Sequence, residues 1–207
     1  MGEPRFLSPL LESRRVWHGR AQPAPADGIP SGWPTLDQAL PQGGWPAHAL
    51  SEILLPADGV GELQLVLPAL GRLATRERPV LVVAPPYLPG VAGWSARGVD
   101  MRHVLVVRAA GNEILWAMEQ GLRSAACGAV LGWPGEADDR ALRRLQVAAD
   151  TGRTPAFLFR DHRHVQHASP AALRIELETR PQPQWRVRKC RGGQPPAQAF
   201  ALTRAGA

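Results

Sequence analysis

Lysine is almost absent from this chain. Of the 24 basic residues in 207, one, Lys189, is a lysine and the rest are arginine, so the positive charge is permanent and is offered as planar guanidinium forks. Chemistry that needs a lysine amine has a single residue to draw on, in Arg188-Lys189-Cys190-Arg191. Two cysteines, Cys127 and Cys190, show no CxxC spacing and no neighbouring histidine, which argues against a disulfide framework or a zinc site. Cys127, beside Gly128 and an apolar run, reads as a core residue. No stretch approaches the ~20 apolar residues of a membrane-spanning helix, and the first residues, with Arg5, Pro9, Glu12 and Arg14, lack the pattern of a secretory leader. A cytoplasmic protein with no membrane partner is expected.

The hydrophobic content, 44%, is enough for one real core in a chain of this length. Charge is unevenly placed: residues 1–139 carry 11 basic and 14 acidic groups, whereas residues 140–207 carry 13 and 4. A basic C-terminal third fits nucleic acid or an acidic protein partner, and it fits equally an arginine-rich solvated surface.

Residues 1–28 read as an arm and linker. Ala21-Gln22-Pro23-Ala24-Pro25-Ala26-Asp27-Gly28 has linker composition, and Phe6, Leu7, Leu10, Leu11 and Trp17 could line one face of a short helix that docks on this chain or on a partner. Residues 29–190 alternate between strand and helix. After a short helix opened by Pro34 and closed by Gly43-Gly44-Trp45-Pro46, strands are expected at Ala49–Leu55, Val80–Ala84, Val104–Val107, Ala129–Trp133 and Ala156–Phe159. Helices are expected at Glu62–Thr75, Val91–Gly98, Asn112–Ala126 and Glu136–Thr151. Short apolar strands separated by helices imply crossovers and a mostly parallel sheet covered on both faces, an α/β class. Leu173–Glu178 and Gln184–Lys189, broken by Pro181 and Pro183, read as an antiparallel hairpin added to the sheet edge. Residues 191–207 read as a flexible tail.

A strand, a glycine-bearing loop and a helix in this order would open a P-loop ATPase, so the loop residues decide the chemistry. GxxxxGK[ST] supplies a phosphate nest, a lysine for the β and γ phosphates and a hydroxyl for Mg²⁺. Here the loop is Leu54-Leu55-Pro56-Ala57-Asp58-Gly59-Val60-Gly61-Glu62-Leu63-Gln64. Gly59 and Gly61 keep the backbone permissive, but Glu62 stands where the cation is needed and Leu63 where the hydroxyl is needed. A carboxylate at the positive end of a helix is expected to stabilise the empty loop by about 0.3–1 kcal/mol and to repel a triphosphate. Two further parts are missing. Strand 129–133 runs into Gly132-Trp133-Pro134 and strand 80–84 into Pro85-Pro86-Tyr87, with no carboxylate for a metal or an attacking water. No enzyme activity and no cofactor are expected.

Over about Ile29–Gly193 the chain resembles the RecA-like group, and within it the ImuA family of translesion-synthesis accessory proteins. Ser31-Gly32-Trp33-Pro34-Thr35-Leu36-Asp37-Gln38-Ala39-Leu40 and Leu50-Ser51-Glu52-Ile53 are similar to the approach to the RecA phosphate loop. Leu115-Trp116-Ala117-Met118-Glu119-Gln120, Cys127-Gly128-Ala129-Val130-Leu131-Gly132-Trp133-Pro134 and Lys189-Cys190-Arg191-Gly192-Gly193 are more specific to ImuA. The resemblance implies a three-layer RecA-like core with a degenerate P-loop. It also implies an SOS-response accessory factor that binds ImuB, a Y-family-like protein, together with an error-prone polymerase and RecA itself. SulA, a cell-division inhibitor that blocks FtsZ polymerisation, shares the truncated RecA-like fold and is the alternative; a nucleotide-independent DNA-binding module is another.

Candidate contact residues are Phe6, Leu7, Leu11 and Trp17 in the arm, Arg140, Arg143 and Arg144 along one helix, and Arg186, Arg188, Lys189 and Arg191 in the hairpin. His162, His164 and His167 offer three imidazoles in six residues, which reads as a basic, exposed loop facing DNA in preference to a metal site. Tyr87, Trp94 and Trp133 could cluster where a base would otherwise lie. The chain contains no GxSxG elbow and no pair of carboxylates suited to glycosidase chemistry.

Overall fold

The computed structural model describes residues 28–179 and 182–201. Phe6, Leu7, Leu11 and Trp17 lie outside the described residues. Seven strands form one sheet in the order β3-β2-β4-β5-β1-β6-β7: β1 (Leu50–Leu55), β2 (Val80–Val83), β3 (Val104–Val107), β4 (Ala129–Gly132), β5 (Ala156–Asp161), β6 (Leu173–Glu178) and β7 (Gln184–Cys190). Every neighbouring pair is parallel except β6 with β7. The expected α/β class, the mostly parallel sheet and the antiparallel C-terminal hairpin are therefore present. Helices α1 (Pro34–Ala39), α2 (Leu63–Leu73), α3 (Val91–Ser95), α4 (Asn112–Arg123) and α5 (Asp139–Thr151) occupy the connections.

Strand alternation sorts the core into two halves, because successive side chains leave opposite faces of a sheet. Val80, Val82, Ala129, Leu131, Phe157 and Phe159 pack with Leu36 of α1, Leu65–Leu70 of α2 and Trp94 of α3. Leu81, Val83, Val130 and Leu158 pack instead with Met118 and Leu122 of α4 and Leu142, Leu145 and Ala148 of α5. The result is three layers, helix, sheet and helix. Edge-to-face contact between Trp45 and Phe157, 5.1 Å between ring centres, closes the first half, and the Trp33 indole donates to Leu65 O at 3.1 Å, which ties the approach segment to α2.

Two boundaries differ from expectation for identifiable reasons. Helix α5 starts at Asp139, later than residue 136, because the Asp138 carboxylate accepts from Ala141 N–H at 2.7 Å and so caps the first turn. Within the described part of the segment read as a flexible tail, Phe200 pairs with the domain: Trp185 N–H donates to Phe200 O at 2.7 Å and Phe200 N–H to Trp185 O at 2.9 Å. Phe200 packs against the core beside β7, an apolar anchor that the glycines and prolines around it obscure in the sequence.

Candidate functional site

The carboxyl ends of β1, β4 and β5 meet at a cleft of about 270 Å³, lined by Leu55, Ala57, Asp58, Pro86, Trp133, Gly135, Glu136, Phe159, Arg160, Asp161 and Arg163. Open α/β sheets place ligands outside the carboxyl ends of their strands, so this is where the loop after β1 would present a phosphate. The loop has the conformational freedom expected of it: Gly59 and Gly61 adopt φ of +75° and +90°, a region that side chains with a Cβ avoid.

Glu62, the carboxylate expected at the positive end of the helix, forms no cap. It precedes α2 in a helical conformation, φ −57° and ψ −36°, and its side chain makes no capping hydrogen bond. An N-cap side chain reaches back to the first turn from extended backbone, and residue 62 is already in the helix. Instead the side chain is buried with Oε2 lacking a hydrogen-bond partner. Leu63, next in the chain, is half-buried and packs at the edge of the core.

The rest of the cleft is occupied by its own side chains. Trp133 follows β4 and stacks on Phe159 at 4.5 Å with 17° between the planes. Tyr87, Trp94 and Trp133 do not form the cluster considered from sequence. Tyr87 is exposed and Trp94 is buried, because α3 turns its indole into the core while the proline-rich loop holds Tyr87 outward over Gly59. Both guanidinium groups in the cleft are already engaged. Arg163 pairs with Glu136. Arg160 donates to Glu52 Oε1 at 2.7 Å and to Ala137 O at 2.7 Å.

Sequence reasoning missed the strongest electrostatic feature, a buried triad behind the cleft. Glu52 lies in the middle of β1 with no exposed surface. Arg174 is its register partner on β6 and donates to Glu52 Oε2 at 2.6 Å. The remaining donors of Arg174 reach His164 O, Val165 O and His167 O at 2.7, 3.1 and 2.9 Å. Burial pushes the Glu52 carboxyl up, but the Arg160 hydrogen bond and the Arg174 charge outweigh it and hold the group below the ordinary carboxylate range. The available signal was a charged residue inside the apolar run Leu50-Ser51-Glu52-Ile53-Leu54-Leu55, which demands a partner when buried.

His162–Gln166 form a 3-10 turn, and the exposed basic loop is corrected in part. His162 is exposed, but His164 is buried, with Nδ1 3.4 Å from His167 Nδ1. Burial, then the nearby Arg160 and Arg163 charges, lower the His164 pKa. Arg174 explains the burial, since it draws the carbonyls of this turn onto the sheet. Among the described residues no group of three or more His, Cys, Asp or Glu side chains is arranged to hold a metal ion.

Four of the candidate contact arginines are paired with carboxylates. Arg143 pairs with Asp139 and Arg144 with Glu119 on α4, while Arg140 is exposed. In the hairpin Arg186 pairs with Glu178, and Arg188 with Glu176 and Glu178. Lys189 donates to Ser169 O at 2.6 Å and Arg191 to Pro170 O at 3.2 Å. Burial, then the neighbouring Arg191 and Arg174 charges, lower the Lys189 pKa.

Fold and cleft together define a three-layer α/β domain with a cleft at the carboxyl ends of β1, β4 and β5, in which Arg160 and Arg163 are each paired with a carboxylate. No model of a known protein family matches the chain. The cell division inhibitor SulA of Edwardsiella piscicida is 39% identical over 100 residues, 46% of this chain and 58% of that protein, so the chain spans less than two thirds of that relative. The crystal structure of SulA from Pseudomonas aeruginosa aligns with a TM-score of 0.46 and 25% identity, covering 56% of this chain and 98% of that one. The chain is thus similar in sequence to SulA.

Proposed function

We propose that this chain is a non-catalytic adaptor of the RecA-like class, with a degenerate P-loop, that acts in the bacterial response to DNA damage by binding proteins without turning over nucleotide. The observation that supports this most is the composition of the cleft. Glu62 and Leu63 occupy the positions of the phosphate cation and the metal hydroxyl, and Arg160 and Arg163 are committed to Glu52 and Glu136. A triphosphate needs several free donors and a divalent ion to disperse its charge, and this cleft offers neither.

Within that class the ImuA-like residues favour a translesion-synthesis role, with an ImuB-type protein as the direct partner and RecA and an error-prone polymerase as further ones. The test is titration of the purified chain against an immobilised ImuB-type protein, with FtsZ and RecA in parallel. Saturable binding to the ImuB-type protein, unchanged by ATP and Mg²⁺, is the expected result; binding to FtsZ alone overturns the translesion reading.

The similarity to SulA favours a second reading, a division inhibitor that binds FtsZ, and suppression of FtsZ assembly by the chain would establish it. A DNA-binding module has less support, because Arg186 and Arg188 are already matched to Glu176 and Glu178. Such a module would show binding to single-stranded DNA that falls steeply with salt as counterions are released.

A further inference from the structure

The loops at the carboxyl end of the sheet carry exposed apolar surface outside the cleft. Tyr87, Leu88 and Val91 are 69%, 64% and 64% exposed, and Val60 on the neighbouring loop is 40% exposed. They belong to one surface. Tyr87 lies over the glycine loop, where a Cβ on Gly59 would meet its Cε2 at 3.5 Å, and Val60 follows directly in the chain. Leu88 lines a hollow of about 310 Å³ with Ala84, Pro85, Pro86, Arg108 and Ala109, and Val91 opens α3. Contiguous apolar patches on a protein surface mark interaction sites.

The segment that carries most of the patch is stiff. Pro85, Pro86 and Pro89 fix the backbone φ at three positions of residues 84–90, so holding it against a partner costs little further ordering. Ala84, at its root, adopts φ +50°, a left-handed conformation that is costly for a residue with a Cβ. Its N–H donates to Val107 O at 2.8 Å, which pins that turn to the end of β3. Backbone strain of this kind is retained where the surrounding structure fixes the direction of a functional loop.

Two charges of opposite sign flank the patch. Pro86 lies between two hollows, one shared with Ala57 and Asp58 and the other with Arg108, so Asp58 stands on one side of the proline loop and Arg108 on the other. Both are exposed, and among the described residues neither is held in an ion pair. A partner face of a single sign meets repulsion at one flank. The same face turned by half a rotation meets the opposite charge at both. We propose that this face is a twofold interface between two copies of the chain, with Tyr87 and Leu88 packed about the axis and Asp58 of each copy paired with Arg108 of the other. Such an isologous contact closes at two subunits. It also brings the second copy over Asp58 and Pro86, which line the cleft. The interface adds self-association to the adaptor reading and does not depend on it.

The test is the oligomeric state of the full chain, followed by sedimentation equilibrium across protein concentration, with melting curves to establish that each variant is folded. A reversible monomer–dimer equilibrium with a dissociation constant below ~100 μM is expected. Tyr87→Ser and Leu88→Ser should each weaken it by about tenfold or more, because they remove the apolar centre of the contact. Asp58→Arg and Arg108→Asp should each do the same, because either change alone opposes like charges at both flanks. Combining Asp58→Arg with Arg108→Asp restores opposite charges and should return the dimer to within about threefold of the unmodified chain. A chain that stays monomeric at ~100 μM overturns the proposal and leaves the patch to a different protein. So does a dimer indifferent to Tyr87→Ser and Leu88→Ser, a double charge variant no stronger than either single one, or growth past the dimer into open chains. The readout needs only this chain, so its failure leaves the adaptor reading to be decided by the partner titration.

Discussion

Glu52 and Glu62 lie ten residues apart, at the middle of β1 and at the start of α2, and both are buried. Their surroundings are opposites. Glu52 receives hydrogen bonds from two guanidinium groups, and one of those also gathers three carbonyls of the following 3-10 turn. Glu62 has an oxygen with no partner, beside a loop that in a working ATPase carries a cation. One carboxylate is part of what holds β1, β5 and β6 together; the other is buried with one oxygen unmatched. In this chain buried charge is retained where it organises structure and is left unmatched where the older chemistry is proposed to have been.

Truncation of Glu52 should have the largest effect. Glu52→Ala leaves Arg160 and Arg174 buried without a counter-charge and is expected to cost about 3–5 kcal/mol, read as a fall in melting temperature on the order of 10 °C. Replacing the set together, Glu52→Met with Arg160→Leu and Arg174→Met, is expected to recover most of that loss, since a buried ionic group and an apolar one of similar volume are often close in stability. If the triple variant is no more stable than Glu52→Ala, the triad is not a self-contained electrostatic unit.

The pH dependence should report on the triad. The Glu52 pKa is depressed in the folded chain, so the unfolded state binds the proton more readily and the stabilisation is fully present above the unfolded carboxylate value of about 4.3. It is lost as pH falls through the folded value. Acid melting of the wild type should therefore steepen below about pH 4, and the Glu52→Gln variant should show a flatter acid limb. An identical limb in both would place the acid sensitivity elsewhere.

Glu62→Gln should be mild, a change of up to about 1 kcal/mol, because the oxygen it alters has no hydrogen-bond partner to lose. A loss of more than about 1 kcal/mol would mean that Glu62 is engaged in a way its unpartnered oxygen hides. Smallest of all should be Arg143→Ala. Its pair with Asp139 is exposed at both ends, and such pairs contribute about 0–1 kcal/mol; chemical denaturation should detect little change.

Much of the sheet is legible from the chain because its strands are short apolar runs punctuated by glycine and proline. Val80–Val83, Val104–Val107 and Leu173–Glu178 stand where periodicity puts them. The scarcity of lysine, with Lys189 alone in the chain, is equally legible. The triad is not, because Arg160 and Arg174 meet Glu52 across separations of 108 and 122 residues, and nothing local in 157–160 or 173–178 announces a shared partner. The return of Phe200 to Trp185 is hidden for a similar reason, a long-range pairing inside a stretch of tail-like composition. Arg186 and Arg188 mislead in the other direction: a count along the sequence sees a basic segment, whereas an antiparallel hairpin places Glu176 and Glu178 across from it.

The proposed function requires that the loop from Gly59 to Glu62 does not hold nucleotide. Thermal melting of the purified chain with and without ATP and Mg²⁺ tests it directly, because a ligand at ~100 times its dissociation constant stabilises the folded state by about 2.7 kcal/mol. A melting temperature that does not move is the predicted result, and a clear saturable rise would contradict the account.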